Sequence, residues 1–548
     1  MKYGFIIDNR KCIGCHACTT ACKSEHQVPV GVNRTWVKQV EKGTFPDTRR
    51  LFSVLRCNHC TDAPCVEICP VEALHFREDG IVDFDKDRCI GCKSCMQACP
   101  YDALYIDPEN HTAAKCNYCA HRIDVGLEPA CVNVCPEHAI ISGDMENPET
   151  EIAQLLARQS VKVRKPEKAT SPNLFYIDAD DASLVPTATD RGHVTLWGSQ
   201  SLGVGHYAKE AEKMAFTNTD VIAELVNLNG GFEANGKQVK PPKSAEVLVE
   251  MPKRVYDGPD KGILWGWEVP AYVWTKAISA GVFLVPFIMS FFTDLAMLES
   301  VFWPTIAIGL LFLLLTGLFL IKDLDRPDRF AYVLLRPHWS SWLVKGGYSI
   351  TAYGGLLTLL AVSYYFGWTA VFDILFWITG FVSIMVAVYT AFLFAQAKGR
   401  DFWQSPAMAV HMLVHSLMAG SATFLILDLF MPWKGAGLMS DYSLVVLILA
   451  ITLVINLFTM LVELTMTHPT KDAKLVVKMI TKGRYKNLFW AGVLLIGNIL
   501  PFVLILLSGN TAVEMQGMVL SIAALMVLVG IYFTERIWVE APQRIPLS

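Results

Sequence analysis

All sixteen cysteines of this chain lie between residues 12 and 135, and the rest of its 548 residues contain none. They form four groups of four: Cys12, Cys15, Cys18 and Cys22; Cys57, Cys60, Cys65 and Cys69; Cys89, Cys92, Cys95 and Cys99; Cys116, Cys119, Cys131 and Cys135. The first and third groups share the spacing C-x2-C-x2-C-x3-C, the second has four residues in the middle gap, and the fourth has eleven. Three close thiolates can hold three corners of a cubane cluster while a more distant thiolate holds the fourth. The cysteines therefore predict four [4Fe-4S] clusters.

The residues around the cysteines favour iron and sulfur over other uses of cysteine. Proline follows Cys69, Cys99 and Cys135 where a short helix can begin, and strand-like apolar segments flank the groups, so a ferredoxin repeat is predicted. Zinc needs only four ligands per ion and gives no reason for the third close cysteine. Disulfides are disfavoured because no export signal is expected at this N-terminus. Cys12, Cys15 and a following histidine match a haem c attachment pattern, but the first cluster group already uses both cysteines.

The order of the four spacings resembles the four-cluster electron-transfer subunits of molybdopterin oxidoreductases, such as dimethylsulfoxide and polysulfide reductases, over about residues 1 to 180. The resemblance implies an α+β, ferredoxin-like tandem cluster domain and a catalytic partner that carries molybdopterin. It also implies that the groups exchange their fourth ligands. Under this crosswise assignment the sets are Cys12, Cys15, Cys18 with Cys135; Cys116, Cys119, Cys131 with Cys22; Cys57, Cys60, Cys65 with Cys99; and Cys89, Cys92, Cys95 with Cys69.

The remainder of the chain has the composition of a membrane protein. Hydrophobic residues make up 53% of the whole sequence and its mean hydropathy is +0.35. Runs long enough to cross about 30 Å of hydrocarbon predict an all-α polytopic bundle of eight transmembrane helices. The runs lie near 270–292, 301–321, 344–366, 371–397, 406–430, 442–466, 488–508 and 514–533. We therefore predict a cluster domain over 1–180, a polar extension or linker over 181–267, and a membrane domain over 268–548.

Charge predicts the orientation of this bundle. Basic residues crowd the connections after the second, fourth and sixth spans, whereas Lys434 is the only one in the opposite connections. By the positive-inside rule, both termini and the cluster domain face the cytoplasm of a prokaryotic inner membrane. The net charge of −4 gives no reason to expect nucleic acid as a partner.

The second half resembles the quinone-reactive membrane subunits of the NrfD and polysulfide-reductase type, over about residues 265 to 535. The resemblance rests on the helix count and on the sequence DLDRP at 323–327, followed by Arg329 and Phe330. It implies menaquinone or ubiquinone as an exchangeable substrate and an eight-helix core without haem. A cytochrome b is also disfavoured by the residues, because His411 and His415 share one face of one helix and cannot ligate both faces of a haem. His338 and His468 lie in connections.

Polar residues inside the spans are the candidate quinone ligands, because a charge at membrane depth is costly. Glu268, Tyr272 and Lys276 recur every four residues near the cytoplasmic end of the first span, and His411 and His415 lie at a similar depth in the fifth. A quinone headgroup needs hydrogen-bond donors and a proton source, which these groups can supply. Interfacial snorkelling of Glu268 and Lys276, and interhelical hydrogen bonding of the histidines, are the alternative roles.

A second set of polar residues forms a ladder in depth. Glu463 lies near the inner side, with Asn456 and Asn498 near the middle, and these three are proton-path candidates. The outer ends carry acidic residues that solvation would explain equally well: Asp294, Asp373, Asp428 and Glu514. Asn498 followed by Pro501 also predicts a broken or kinked seventh helix with a freed carbonyl.

Together these features predict an electron-transfer and quinone-reactive subunit of a hetero-oligomeric oxidoreductase complex. Its clusters would relay electrons between a cytoplasmic catalytic partner and quinone in the lipid bilayer. No G-x-G-x-x-G segment opens a helix after a strand, so substrate chemistry is expected on another chain. Two alternatives stay open: a redox-driven proton-translocating module that uses the same quinone site, and a membrane-anchored iron–sulfur sensor.

Overall fold

The computed structural model describes residues 1–43, 47–189, 252–258, 261–292, 296–430, 439–509 and 513–548. Its first part is built from short strands and short helices. The strands are β1 (Tyr3–Asp8), β2 (Thr35–Lys42), β3 (Arg49–Arg56), β4 (Leu74–Phe76), β5 (Val82–Phe84), β6 (Leu104–Ile106), β7 (Ala113–Lys115), β8 (Ile140–Asp144), β9 (Val161–Lys162), β10 (Leu174–Ile177) and β11 (Lys253–Tyr256). This part is the mixed α+β domain that the cysteine repeats predict.

Within the described residues, this domain contains two sheets and two hairpins. One sheet has the order β8-β1-β10-β9, in which β1 runs parallel to β10 and the other neighbours are antiparallel. The other has the order β11-β2-β3, and the pairs β4-β5 and β6-β7 form antiparallel hairpins. The hairpins follow the Cys-Pro steps at Cys69 and Cys99, so each closes one cysteine repeat.

Short helices carry the closely spaced cysteines. The helices with cysteines are Ala17–His26, Pro64–Glu67, Ser94–Ala98 and Ala130–Asn133; the others are Ala120–Ile123, Glu151–Arg158 and Asp181–Leu184, with 3-10 turns at Pro166–Lys168 and Pro186–Ala188. The two ends of the predicted extension pack onto this domain, since Asp181–Leu184 contacts β2 and β3 and β11 pairs with β2. The middle of the extension, 190–251, lies outside the described residues.

Eight long helices follow in the part of the chain that the structure describes, and we number them α1 to α8. They are α1 (Glu268–Met289), α2 (Ala296–Lys322), α3 (Trp342–Tyr365), α4 (Thr369–Gln396), α5 (Ala407–Leu427), α6 (Met439–Thr465), α7 (Leu488–Ser508) and α8 (Val513–Gln543). Their connections carry Pro327–Arg329, Tyr332–Leu335, Asp401–Gln404 and Lys471–Thr481. In α7 the stretch Leu488–Ile499 is π-helical, and Asn498 Nδ2 donates to the Val493 carbonyl at 2.8 Å. The predicted irregularity of the seventh helix is therefore present, as a π-helical stretch that ends just before Pro501.

Seven of these helices are long and apolar enough to cross a membrane. The exception is α3, which has 24 residues and the length to cross but carries many glycine, serine, threonine and tyrosine residues. It packs along α4, where a Cβ on Gly346 would overlap the Tyr389 ring. The count of eight spans therefore stays a prediction.

Helix α1 lies at the centre of the bundle and contacts α2, α4, α5 and α8. Its backbone approaches that of α5 closely: a Cβ on Gly281 would overlap the Ser416 carbonyl oxygen, and one on Gly420 would overlap the Gly281 carbonyl oxygen. Small residues permit such backbone contact between membrane helices. This packing fixes the position of the histidines on α5 relative to α1.

The cluster domain is seated on one end of the bundle. Arg329, in the connection after α2, donates to the Cys89 carbonyl at 3.0 Å, and His338 lies 2.8 Å from the Cys69 carbonyl. In the connection after α4, Arg400 donates to Gln97 at 2.9 Å. The DLDRP segment also contacts the third cysteine group, because the Asp325 and Arg326 N–H groups donate to the Gly91 and Ile90 carbonyls. The connection after α6 meets Lys168 of the cluster domain, so the basic connections share one side of the bundle with that domain.

Candidate functional site

The fold brings the cysteines together in four sets that mix the sequence groups. Cys12, Cys15, Cys18 and Cys135 line one cavity, and Cys69, Cys89, Cys92 and Cys95 line another. Cys22 lies close to Cys116, Cys119 and Cys131, and Cys65 lies close to Cys57, Cys60 and Cys99. These are the crosswise sets that the family resemblance implies.

The surroundings of the sulfur atoms fit iron–sulfur clusters. Backbone amides point at ligand sulfurs, as at Cys89, whose Sγ lies 3.4 Å from the Ala113 nitrogen, and at Cys135, 3.3 Å from the Ala139 nitrogen. Burial raises the pKa of the Cys18 thiol to about 12, so this thiol would stay protonated without a cationic core to bind. Hydrogen bonds to cluster sulfurs and burial are the features that tune these cofactors.

A buried arginine lies between two of the four sets. Arg56 is fully buried, and its Nη1 donates to Cys131 Sγ at 3.0 Å while the guanidinium covers the Phe5 ring. It also interacts electrostatically with Cys116 and Cys18, which belong to different sets. A permanent positive charge here favours the reduced, more negative state of both clusters.

We therefore expect Arg56→Gln to lower the reduction potential of the cluster next to Cys131 by on the order of 100 mV. Removing a buried charge at contact distance weakens the stabilisation of the added electron. A redox titration monitored by electron paramagnetic resonance measures this shift. Arg88→Gln, which removes a partly exposed arginine paired with Glu72, is the control and should leave the potentials near their original values. Unchanged potentials in Arg56→Gln would contradict the assignment.

Inside the bundle, Tyr272 and Lys276 of α1 are buried among residues of α4. Lys276 Nζ donates to the Thr390 hydroxyl at 2.7 Å and to the Ala387 carbonyl at 2.9 Å, and it lies over the Tyr389 ring. Glu268 instead lies at the surface of the bundle, with its carboxylate 4.0 Å from Lys322. The structure therefore separates Glu268 from the two buried members of the predicted face.

The two histidines of α5 meet two glutamates from other helices. His415 Nδ1 lies 2.6 Å from Glu535 Oε1, and His411 Nε2 lies 3.7 Å from the same oxygen. On its other side, His411 Nδ1 lies 3.9 Å from Glu463 Oε2, which accepts a hydrogen bond from the Trp538 indole at 3.0 Å. All four titratable side chains are buried. Helices α5, α6 and α8 thus converge on one polar cluster.

The proton-path candidates lie in the same region. Asn456 Nδ2 donates to Asn498 Oδ1 at 2.9 Å, and Asn456 also lies near His415. Asp373 is exposed at the far end of α4 and Asp428 is buried at the end of α5. Asp294 and the side chain of Glu514 lie outside the described residues.

A cleft of about 700 Å³ opens where the cluster domain meets the bundle. Phe402, Glu463 and His468 line it together with Lys168 and Ala169 of the cluster domain. Ala169 adjoins Thr170, whose hydroxyl lies against the Cys60 sulfur. The cleft therefore connects the buried glutamate with the neighbourhood of a cysteine set.

Tryptophans connect another cysteine set with the same glutamate. The Trp265 indole donates to the Cys92 carbonyl at 3.2 Å, and its ring stacks on Trp403 with centroids 5.4 Å apart. The Trp403 indole donates to the Trp538 carbonyl at 2.8 Å, and the Trp538 indole donates to Glu463. A continuous series of contacts thus runs from a cluster loop to the cleft.

Sequence reasoning missed several of these residues. Glu535 and Trp538 follow residue 533, where the apolar run was expected to end, but α8 continues to Gln543. The sequence does indicate this longer helix, because apolar residues continue at helical spacing beyond Glu535. Trp265 and Trp403 flank predicted helices, where tryptophan is common for other reasons.

Burial also affects an acidic residue of the DLDRP segment. It raises the pKa of Asp323 to about 7, since burial outweighs the opposing effect of the Lys93 ammonium. Lys93 donates to the Asp323 carbonyl at 3.0 Å and pairs with Asp325 at 3.2 Å. This segment therefore positions the third cysteine group against α2 and places a carboxyl that titrates near neutral pH between them.

Comparison with known proteins agrees with this architecture. Two models of a 4Fe-4S dicluster domain match residues 11–74 and 48–145, and the model "Polysulphide reductase, NrfD" matches residues 257–543. The NrfD model covers more than half of the chain. With its apolar helices, this match makes the chain a multi-pass membrane protein.

Similar curated proteins match the first third of the chain. The B subunit of tetrathionate reductase from Salmonella typhimurium is 47% identical over 201 residues, which are 36% of this chain and 80% of that protein. The B polypeptide of polysulfide reductase from Wolinella succinogenes is 43% identical over 181 residues, 32% of this chain and 94% of that protein. Protein NrfC of Escherichia coli K12 is 40% identical over 181 residues, 32% of this chain and 81% of that protein. The chain therefore belongs to the polysulphide reductase NrfD family, and it carries an iron–sulfur electron-transfer domain fused ahead of its NrfD domain.

Proposed function

We propose that this chain carries electrons between a catalytic oxidoreductase subunit and quinone in the membrane, through four [4Fe-4S] clusters held in the crosswise cysteine sets. The observation that supports this most strongly is the contact series from Cys92 through Trp265, Trp403 and Trp538 to Glu463. Electron transfer slows steeply with distance, so a cluster loop in contact with aromatic rings that reach a membrane cleft is suited to deliver electrons there.

The cleft beside Glu463 suits a quinone headgroup. Its apolar wall includes Phe402 and Met466, and His468 and Glu463 provide the few polar groups that such a site needs. Glu463 is positioned to exchange a proton with a quinone oxygen. On the side away from the cleft, His411 Nδ1 lies 3.9 Å from Glu463 Oε2. Tyr272, Lys276, His411 and His415 remain proposed contributors to the same reaction, and Glu268 a proposed contributor at the surface.

The opposite end of the cluster domain suits docking of the catalytic subunit. Cys15 is exposed, and Ile13 and Val134 expose apolar side chains next to the set formed by Cys12, Cys15, Cys18 and Cys135. An exposed apolar patch beside a cofactor is typical of a transient electron-transfer surface. Because the resembling subunits serve molybdopterin enzymes, we propose a molybdopterin-dependent partner in a hetero-oligomeric complex.

The proposed orientation places this partner in the cytoplasm. The basic connections and the cluster domain share one side of the bundle, and basic connections face the cytoplasm by the positive-inside rule. With eight spans, α3 included, both termini lie on that side. Transport of protons by Glu463, Asn456 and Asn498 remains a second proposal, which the contact between the two asparagines favours.

We expect Glu463→Gln to slow quinol-driven reduction of the clusters by about 10²-fold, as for loss of a general acid–base group. The amide retains an oxygen for the Trp538 hydrogen bond but cannot accept a proton from quinol. The measurement uses the full chain in lipid nanodiscs, with a water-soluble quinol as donor and cluster bleaching as the signal.

Two comparisons make this experiment decisive. Reduction by dithionite should be unchanged in Glu463→Gln, because it bypasses the membrane site. Asp373→Asn, at the far end of α4, should retain the quinol-driven rate. A normal rate in Glu463→Gln with a slow rate in Asp373→Asn would move the quinone site to the other side of the bundle.

A further inference from the structure

We propose that His411, His415 and Glu535 bind one divalent transition-metal ion of the zinc class inside the bundle, apart from the iron–sulfur clusters. One nitrogen of each histidine and one oxygen of Glu535 all lie within 4.8 Å of one another, and all three side chains are buried. Two nitrogens and a carboxylate oxygen form a donor set that zinc accepts, with a fourth position left for water.

The helices present these atoms with little adjustment. His411 and His415 lie one turn apart on α5, so their rings face the same side, with centroids 4.1 Å apart. Glu535 Oε1 approaches both rings, at 2.6 Å from His415 Nδ1 and 3.7 Å from His411 Nε2. Donor atoms around a tetrahedral zinc ion lie roughly 3.4 Å apart, given bonds of about 2.1 Å. Shifts of the donor atoms by about 1 Å would therefore give the spacing that zinc needs.

An outer carboxylate is already in place for this site. Glu463 faces the second ring nitrogen of His411 at 3.9 Å and is itself held by the Trp538 indole. Metal-binding histidines almost always donate their other ring N–H to a carboxylate, a backbone carbonyl or a water, which fixes the ring and its tautomer. An interhelical hydrogen bond between His415 and Glu535 alone would give no reason for this arrangement.

The charges and the hydrogen bonding of these histidine and glutamate side chains also favour a bound cation. Within the described part of the chain, the two ring nitrogens of His411 lie 3.7 and 3.9 Å from the glutamates, too far for a hydrogen bond, and one oxygen of each glutamate makes none. Two carboxylates in an apolar interior are costly unless each is protonated or compensated by a positive charge. Two protonated rings at this separation would repel each other, whereas one divalent ion compensates both carboxylates. The nearby Lys276 amine interacts with Glu535 but donates to Thr390 and Ala387.

The test uses the full chain with its clusters, purified in detergent and equilibrated with Zn²⁺, then freed of loosely bound ions. Elemental analysis should find about one zinc ion in each molecule. X-ray absorption at the zinc edge should show nitrogen and oxygen neighbours at about 2.0–2.2 Å and no sulfur at about 2.3 Å. The absence of sulfur distinguishes this site from zinc misplaced in the cysteine sets.

Variants assign the metal to these residues. His415→Ala and Glu535→Gln should lose the zinc while keeping the cluster iron, and His468→Ala, a histidine at the same end of the bundle, should keep both. Glu463→Gln retains all three ligands and should weaken Zn²⁺ binding about 10- to 100-fold. The proposal would be overturned if the unaltered chain held no more zinc than the background level, or if the bound zinc had sulfur neighbours. It would also be overturned if all variants held the same amount of zinc. None of these outcomes depends on quinone activity, so the proposed function is tested separately.

Discussion

Replacing Cys69 by serine should remove the cluster nearest the membrane bundle and abolish quinol-driven reduction. Cys69 lies with Cys89, Cys92 and Cys95, although it belongs to another sequence group. The Cys69 carbonyl contacts His338 and the Cys92 carbonyl accepts from Trp265, so this set is held directly against the bundle. We expect roughly a quarter of the iron to be lost, one cluster in four.

Iron analysis and electron paramagnetic resonance of the dithionite-reduced protein check this result. Cys135→Ser is the matched control, because it alters the set with Cys12, Cys15 and Cys18 at the exposed end of the domain. That variant should lose a similar amount of iron yet still accept electrons from quinol into its remaining clusters. If Cys69→Ser instead perturbs the cluster of Cys57, Cys60 and Cys65, the ligands are not exchanged crosswise.

The second large effect is expected where α1 and α5 meet backbone to backbone. Gly281→Val would force a side chain of α1 into the backbone of α5, where even a Cβ overlaps the Ser416 carbonyl oxygen. Overpacking of this kind costs about 1–3 kcal/mol where side chains can yield, and more here because the obstacle is backbone. We expect α1 and α5 to separate and the protein to lose its monodisperse form in mild detergent.

Size-exclusion chromatography after stepwise heating measures this loss. Gly317→Val provides the control, since a Cβ at Gly317 meets nothing within 4 Å. Both variants add the same atoms to a long apolar helix, so a difference between them reports the contact rather than the substitution. Equal thermal stability would mean that α1 and α5 do not pack through these glycines.

Much of the architecture could be predicted because its signals are local. Cysteine spacing indicates cluster loops without reference to tertiary contacts, and apolar runs indicate helices: the run at 344–366 corresponds to α3 at Trp342–Tyr365. The end of α8 could not be predicted in this way. Glu535 and Glu540 interrupt the apolar run. The helix tolerates them because Glu535 pairs with His415, and Glu540 accepts hydrogen bonds from Arg536 and Tyr485.

The candidate site depends on contacts between distant segments, which explains why only part of it was predicted. Single polar residues in apolar runs, such as Lys276 and His415, are visible because they are unusual there. Which of them meet is decided by packing: Lys276 turns to Thr390, whereas His415 turns to Glu535. The cleft between Phe402 and Lys168 arises only when the cluster domain is seated on the bundle.

The seating of the cluster domain has a consequence for how the protein is assembled. At the junction the two parts meet backbone to backbone: a Cβ on Gly399 would overlap the Gln97 carbonyl oxygen, and one on Gly91 would lie 2.8 Å from the Asp325 side chain. Two backbones this close leave no layer of side chains that could adjust between the parts, so the domain can seat only if its cysteine loops already have their final shape. Because metal binding is coupled to folding of the ligand loops, we expect cluster insertion to precede docking.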